Sequence, residues 1–208
     1  MSARAEQLVR LPIAFERVGP IVDCKVERLT VVTARGLLTR GDTLPSVPGT
    51  TVYPGGEVRK ENLGDIVEGE GSRNLVKLLS IINAHETPVC DVQTARVDGT
   101  PARSIFRKLA TVVSVSKHSP EELVRISKEQ NLKHPLFSLT DEGAVELGVA
   151  LEPEEGVSED WRRMLLRALM VVGPDQIIHH IEHVMDQAKE PDYVAASAAI
   201  EELVPLTE

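Results

Sequence analysis

The chain has 208 residues, of which 42% are hydrophobic and 26% are charged, and its formal net charge is −9. A chain of this length buries about 70% of the surface that it exposes when unfolded, so we expect it to fold without stabilising disulfides or structural metals. The first residues lack a signal-peptide pattern, and no segment reaches the roughly eighteen apolar residues of a membrane span. We therefore expect a protein that is neither secreted nor membrane-embedded. Cys24 and Cys90 have no ligand spacing, which favours a reduced, cytoplasmic compartment.

Charge divides the chain just before His118. Residues 1–117 carry 16 basic and 13 acidic residues, whereas residues 118–208 carry 7 and 19, a net charge of −12. A half with that charge repels a phosphate backbone, so we do not expect nucleic acid as a partner. The simplest role of the acidic half is to keep the protein soluble.

The front of the chain has the pattern of short strands. Val22, Cys24 and Val26 alternate with charged residues, which predicts a strand with one buried face. Residues 36–71 hold many of the glycines and prolines, with only short apolar pieces between them. This composition is typical of a small barrel or sandwich.

A helix is predicted to begin at Ser72, because apolar residues cover most of its helical wheel from Leu75 to Ile82. Residues 88–97 then predict a strand that ends at the turn Asp98-Gly99. After this turn we favour a short helix followed by a strand that includes residues 111–116. The front half would therefore be a β-rich domain with one packed helix.

The back half shows repeated helix starts. Ser119 opens a capping box with proline in the first turn, and similar signals follow at Thr140, Ser158, Pro174 and Pro191. Together these patterns predict an α+β protein with two domains. A β-rich domain over residues 1–117 precedes an acidic, all-helical bundle of about five short helices over residues 118–208.

A cluster of histidines on the fourth predicted helix offers a metal site. His179 and His183 are four residues apart, Asp186 lies three further on, and His180 is adjacent. On one helical face, two imidazoles and a carboxylate can hold a divalent metal such as zinc or nickel. The same face lies opposite the apolar stripe, so the alternative is a solvated polar surface. Burial in an oligomer would favour the metal.

A glycine-rich loop offers a second candidate. Gly69, Gly71, Ser72 and Arg73 precede the predicted apolar helix, where backbone amides could bind a phosphorylated ligand. The glycine pattern is incomplete, and acidic neighbours would repel an anion. The alternative is a turn followed by a Ser72 cap.

Known catalytic motifs are absent from the sequence, which has no GxSxG, HExxH or P-loop pattern. Cys90 follows His85 by five residues, across a turn that ends the predicted buried helix. A thiol in an apolar strand is usually an inert packing residue, so we assign it no chemistry.

Two short resemblances bear on function. Residues 139–143, LTDEG, resemble the start of the last helix in winged-helix DNA-binding proteins. Residues 35–42, 83–85 and 179–183 are similar, in order, to fragments of the urease nickel metallochaperones, which implies nickel binding. In that family the later histidines follow the middle motif closely, whereas about ninety residues intervene here. Neither resemblance assigns a site.

The sequence therefore predicts a non-catalytic binding or assembly protein. Its β-rich domain would bind a ligand or a protein partner, and its helical domain would form a homo-oligomer. One alternative is a metal-binding carrier or hydrolase that uses the histidine cluster. Another is an enzyme or sensor for a phosphorylated small molecule, bound at residues 69–74. Whether the protein is an enzyme stays open at this point.

Overall fold

A computed structural model describes most of the chain. The described residues are 7–12, 16–18, 21–23, 29–34, 36–66, 76–85, 87–98, 105–152 and 164–204. The strands are β1 (Gln7–Pro12), β2 (Glu16–Val18), β3 (Ile21–Asp23), β4 (Leu29–Ala34), β5 (Pro48–Val52), β6 (Val58–Asn62), β7 (Lys77–Ile81), β8 (Thr111–Ser116), β9 (Leu136–Leu139), β10 (Leu151–Glu152), β11 (Ala168–Val172) and β12 (Ile178–His183). The helices are α1 (Pro88–Asp98), α2 (Ile105–Leu109), α3 (Pro120–Glu129), α4 (Asp141–Glu146) and α5 (Tyr193–Leu203).

One mixed sheet of 7 strands organises the fold, in the order β12-β11-β7-β8-β9-β5-β6. Its centre, β7-β8-β9, is parallel, and the other neighbours are antiparallel. A smaller sheet, β1-β4-β10, and the hairpin β2-β3 lie outside it. The large sheet takes strands from both sides of residue 118, so the two predicted halves share one sheet.

The core covers both faces of this sheet. Side chains alternate along a strand, and in β7 Leu79 and Ile81 belong to one apolar cluster while Leu78 belongs to another. The second cluster includes Phe106 of α2 and Ile200 of α5. A strand covered on both faces reads as a continuous apolar run, without period-2 alternation.

Two elements are therefore the reverse of what the sequence predicted. The helix predicted through residues 75–82 is the strand β7, because its all-round apolarity comes from burial on both sides of a sheet. The strand predicted at residues 88–97 is the helix α1. Pro88 occupies the first helical position, where a missing N–H costs nothing, and the Asp91 N–H donates to the Thr87 carbonyl at 2.9 Å.

The helices with local capping signals are confirmed. Ser119 forms a complete capping box with Glu122, the Thr140 hydroxyl caps α4, and the Asp192 carboxylate caps α5. The short helix and strand expected after residue 100 are also confirmed as α2 and β8. These elements are predictable because a cap depends on residues only three or four apart.

The predicted helical bundle is wrong, because β11 and β12 form an antiparallel hairpin where two of its helices were expected. The turn between them closes with the Gly173 N–H donating to the Ile177 carbonyl at 2.9 Å. The helix start predicted at Ser158 lies outside the described residues. The fold is thus a mixed sheet flanked by helices, and not a barrel followed by a bundle. Among the described residues, no helix is long and apolar enough to cross a membrane.

Candidate active site

The site lies where β7 ends. Residues 82–85 follow β7, and α1 begins at Pro88, so the amino end of α1 lies beside the carboxyl end of a parallel strand. Open sheets with parallel strands commonly bind ligands at this edge. Because β11 is antiparallel to β7 and Ala168 pairs with Ile81, Arg167 comes to the same edge. The turn after β12 also returns there, since Ala168 pairs with His183.

Cys90 is the third residue of α1, and its side chain is 0% exposed. Its Sγ lies 3.3 Å from Nη2 of Arg167. The first turn of a helix also presents backbone N–H groups without intrahelical partners, at the positive end of the helix dipole. Both features stabilise negative charge on the sulfur, and the thiolate is the nucleophilic form of cysteine.

Arg167 is a fully buried cation, 0% exposed. Its Nη1 donates to Oε1 of Gln93, and its Nη2 lies 3.4 Å from the carbonyl oxygen of Gln187. Within the part of the chain that the structure describes, no carboxylate pairs with it. A buried charge without a counter-ion costs several kcal/mol. The Cys90 sulfur, 3.3 Å from Nη2, is the titratable group that this guanidinium contacts.

Gln93, on the same helix as Cys90, holds the Arg167 guanidinium in place. It lies one turn after Cys90, and its Nε2 donates to Oγ of Ser80 at 2.9 Å and to the carbonyl of Ile81 at 3.4 Å. These donated bonds turn its Oε1 towards Arg167, which needs an acceptor. The end of β7 thereby orients both Gln93 and, through it, the arginine.

His85 is a buried neutral imidazole in the segment before α1. It is 3% exposed, and its ring meets that of His118 edge-on, with 5.2 Å between centroids. Burial, with smaller contributions from the nearby His118 and His134, lowers the pKa of His85 to about 3. His85 is therefore uncharged at neutral pH and cannot serve as a cation for the sulfur.

A hydrogen-bonded relay anchors the other end of α1. Oδ1 of Asp98, the last residue of α1, lies 2.6 Å from Nδ1 of His134, and Nε2 of His134 lies 2.8 Å from Oγ of Ser114. Burial acts to raise the pKa of Asp98, but the His134 contact and the Lys133 N–H, which donates at 2.7 Å, lower it overall. Ser114 is 1% exposed on the central strand β8, so the relay is built into the interior.

Comparison with curated proteins identifies the family. The chain is 30% identical to a thiol peroxidase of Mycobacterium bovis over 139 residues, which are 65% of this chain and 78% of that protein. A thiol peroxidase of Halalkalibacterium halodurans is 27% identical over 130 residues, 62% of this chain and 74% of that protein. The chain belongs to the thiol peroxidase family. No protein-family model matches this thiol peroxidase family member.

The fold agrees with that assignment. A peroxiredoxin-like protein from Aquifex aeolicus has a crystal structure that aligns with a TM-score of 0.62 at 18% identity, over 85% of this chain and 94% of that one. At that identity the likeness concerns the fold alone. The predicted barrel and bundle are replaced by a peroxiredoxin fold.

Membership in the thiol peroxidase family also corrects the predicted function. The prediction of a non-catalytic binding or assembly protein is wrong, because the relatives are thiol peroxidases. The prediction failed because Cys90 was placed in a strand, where a buried thiol only packs. In the first turn of α1, beside Arg167, the same thiol lies in an electropositive site.

The predicted zinc or nickel cofactor is likewise wrong for a thiol peroxidase. His179, His180 and His183 lie on the strand β12, where neighbouring side chains point to opposite faces, so helical spacing does not apply. His183 shares a hydrogen bond of 3.0 Å with the Leu38 carbonyl, and Asp186 lies in the turn beyond the strand. No group of three or more His, Cys, Asp or Glu residues suited to a metal occurs in the described ranges.

The predicted phosphate loop, Gly69, Gly71, Ser72 and Arg73, lies outside the described residues. Sequence reasoning also missed Arg167, Gln93 and Gln187. Arg167 had one usable signal, because it is the only charged residue in the otherwise apolar run 164–172. A charge in such a run indicates either a partner or a function.

Proposed function

We propose that the protein is a cysteine-dependent peroxidase in which Cys90 reduces a hydroperoxide. One observation carries this proposal: the buried guanidinium of Arg167, which has no carboxylate partner among the described residues, lies 3.3 Å from the Cys90 sulfur at the amino end of a helix. The thiolate is a nucleophile, and a fixed positive group beside it stabilises charge throughout the reaction.

In the first step, the Cys90 thiolate attacks one oxygen of the hydroperoxide. An S–O bond forms, the O–O bond breaks, and the departing alkoxide or hydroxide takes a proton from solvent. The sulfur is oxidised to a sulfenic acid, and the peroxide is reduced to an alcohol or water. Because the Cys90 sulfur is fully buried, we expect hydrogen peroxide and other small hydroperoxides to be the substrates.

In the second step, a thiol reductant condenses with the sulfenic acid and releases water, leaving a disulfide. A further thiol reduces that disulfide and restores Cys90. The sequence contains only 2 cysteines, so the first of these thiols is either Cys24 or a separate thiol reductant. Cys24 lies outside the described residues, and its substitution separates these two sources.

The test is hydrogen peroxide consumption with dithiothreitol as reductant, comparing the wild-type protein with Cys90→Ser and Cys24→Ser. We expect Cys90→Ser to lower the rate by more than about a thousandfold, as when an enzyme loses its nucleophile. Trapping with dimedone should label Cys90 in Cys24→Ser after one equivalent of peroxide. Full activity in Cys90→Ser would contradict the proposal. In that case the buried thiol would be a packing residue.

Two further expectations complete the proposal. The homo-oligomer expected from the sequence can be tested by size-exclusion chromatography with light scattering, against the protomer mass of 22.8 kDa. We also propose the cytoplasm as the working compartment, because a thiol-dependent cycle needs reduced thiols. Fractionation of cells that express the untagged protein tests that placement.

A further inference from the structure

The side-chain amide of Gln187 joins three segments at the edge of the sheet. Its Oε1 accepts from the backbone N–H of Arg167 at 3.0 Å and from Nδ2 of Asn83 at 3.1 Å. Its Nε2 donates to the Val184 carbonyl. The residue is 1% exposed, so every one of these bonds is made in the interior.

Gln187 also contacts the other end of Arg167. Its backbone carbonyl lies 3.4 Å from Nη2, the same nitrogen that reaches the Cys90 sulfur. One residue therefore holds both the main chain of Arg167 and its guanidinium. Through Asn83, it also holds the segment that runs from β7 towards the helix bearing the cysteine.

Packing alone does not account for this arrangement. An apolar side chain could fill a buried space, whereas a buried amide costs free energy unless its donors and acceptor are all satisfied. Here both the oxygen and the nitrogen of the Gln187 amide form hydrogen bonds. The oxygen accepts from Arg167 and from Asn83, in the segment before the helix that bears Cys90, and the nitrogen donates within the turn that carries Gln187. Such satisfied polar networks fix geometry more narrowly than apolar contacts do.

Resting on the proposed peroxidase function, we propose that Gln187 is a positioning residue for the reaction, which acts with Asn83 to hold the Arg167 guanidinium against the Cys90 sulfur. Neither Gln187 nor Asn83 touches the sulfur. Their effect on the reaction passes through Arg167, and this dependence can be measured.

The experiment is a double-mutant cycle in the Cys24→Ser background. Stopped-flow kinetics gives the second-order rate constant for oxidation of Cys90 by hydrogen peroxide. Gln187→Met, which keeps the length but loses the amide, should lower the constant by about ten- to a hundredfold, as misplacement of a catalytic group does. In the Arg167→Met background, where there is no guanidinium to position, the same substitution should change it by less than about threefold.

Asn83→Ala provides a second variant if Gln187→Met folds poorly. It removes one of the two donors to Gln187, so we expect a smaller loss of rate that also disappears in the Arg167→Met background. Ile200→Ala serves as a matched control for stability, because Ile200 packs in the apolar cluster around α5, to which Arg167 does not belong. It should lower the melting temperature but leave the rate constant unchanged.

The outcomes separate the two proposals. An equal loss of rate in both backgrounds would make Gln187 a structural residue and overturn the inference. So would an unchanged rate in Gln187→Met when Arg167→Met is slow. If Cys90→Ser retains the wild-type reaction with peroxide, the proposed function itself fails, whatever the rate of Arg167→Met.

Discussion

Each end of α1 contacts a buried set of polar side chains, and the two sets differ in whether a charged group has an oppositely charged partner. At the amino end, the buried cation Arg167 meets a thiol and amide oxygens but no carboxylate among the described residues. At the carboxyl end, Asp98, His134 and Ser114 form a relay in which each group has a partner. The second set looks more like a catalytic triad, yet its serine is buried in the central strand. A buried charge without a carboxylate partner therefore locates reactive chemistry better than residue types do.

Of the substitutions at the two ends of α1, Arg167→Met should have the largest effect on the reaction with peroxide. We expect the rate constant with hydrogen peroxide to fall by about a hundredfold or more, because the substitution removes the positive group beside the reacting sulfur. The free energy of unfolding should stay the same or rise, since a buried unpaired charge is replaced by an apolar chain of similar length. Chemical denaturation beside stopped-flow kinetics measures both. A parallel loss of stability and rate would mean that Arg167 is mainly structural.

The next effect concerns pH and His85, in the segment before α1. Burial lowers the pKa of His85 from 6.5 to about 3. Between these two pH values, His85 is protonated in the unfolded chain and neutral in the folded chain. The contribution of neutral His85 to the free energy of unfolding is therefore fully present above about pH 6.5. It decreases as the pH falls, by up to about 1.4 kcal/mol per pH unit. Urea denaturation of the wild type and of His85→Phe, from pH 7 to pH 4, tests this. An equally steep dependence in His85→Phe would assign the slope to other groups.

The smallest effect should come from Asp98→Ala, at the satisfied end. Loss of its bonds to His134 and to the Lys133 N–H should lower the free energy of unfolding by about 1–2 kcal/mol. We expect the peroxide rate constant to change by less than about threefold, because Asp98 lies at the far end of α1 from Cys90. Glu201→Ala on the exposed side of α5 is the matched control, expected within about 0.5 kcal/mol of the wild type. A large kinetic defect in Asp98→Ala would show that the two ends are coupled.

Sequence reasoning succeeded where structure is local. The caps at Ser119, Thr140 and Asp192 depend on neighbours within one helical turn, and all three helices form as predicted. It failed at β7, because a strand buried on both faces has no alternation to distinguish it from a buried helix. It failed at β12 because Ile178 and Ile181 have the i, i+3 spacing of a helical stripe. In the strand, an irregular register opposite Val171 and Val172 lets both residues pack against the same apolar cluster.

The site was beyond a single sequence for a different reason. Cys90 and Arg167 are 77 residues apart, and Asn83 and Gln187 are 104 apart. Strand register brings each pair together, and register is set by pairing partners that no local pattern reveals. The isolated charge of Arg167 in an apolar run was a signal that could have pointed to the site, and it was missed.

The placement of Arg167 on β11 also has a consequence for biosynthesis. In a chain growing on the ribosome, Cys90 is made well before residue 167. The thiol then lacks its cation until β11 pairs with β7, which requires contacts distant in sequence and therefore slow to form. If Arg167 activates Cys90 as proposed, the nascent cysteine is less reactive towards oxidants until the last fifth of the chain, residues 168–208, has docked.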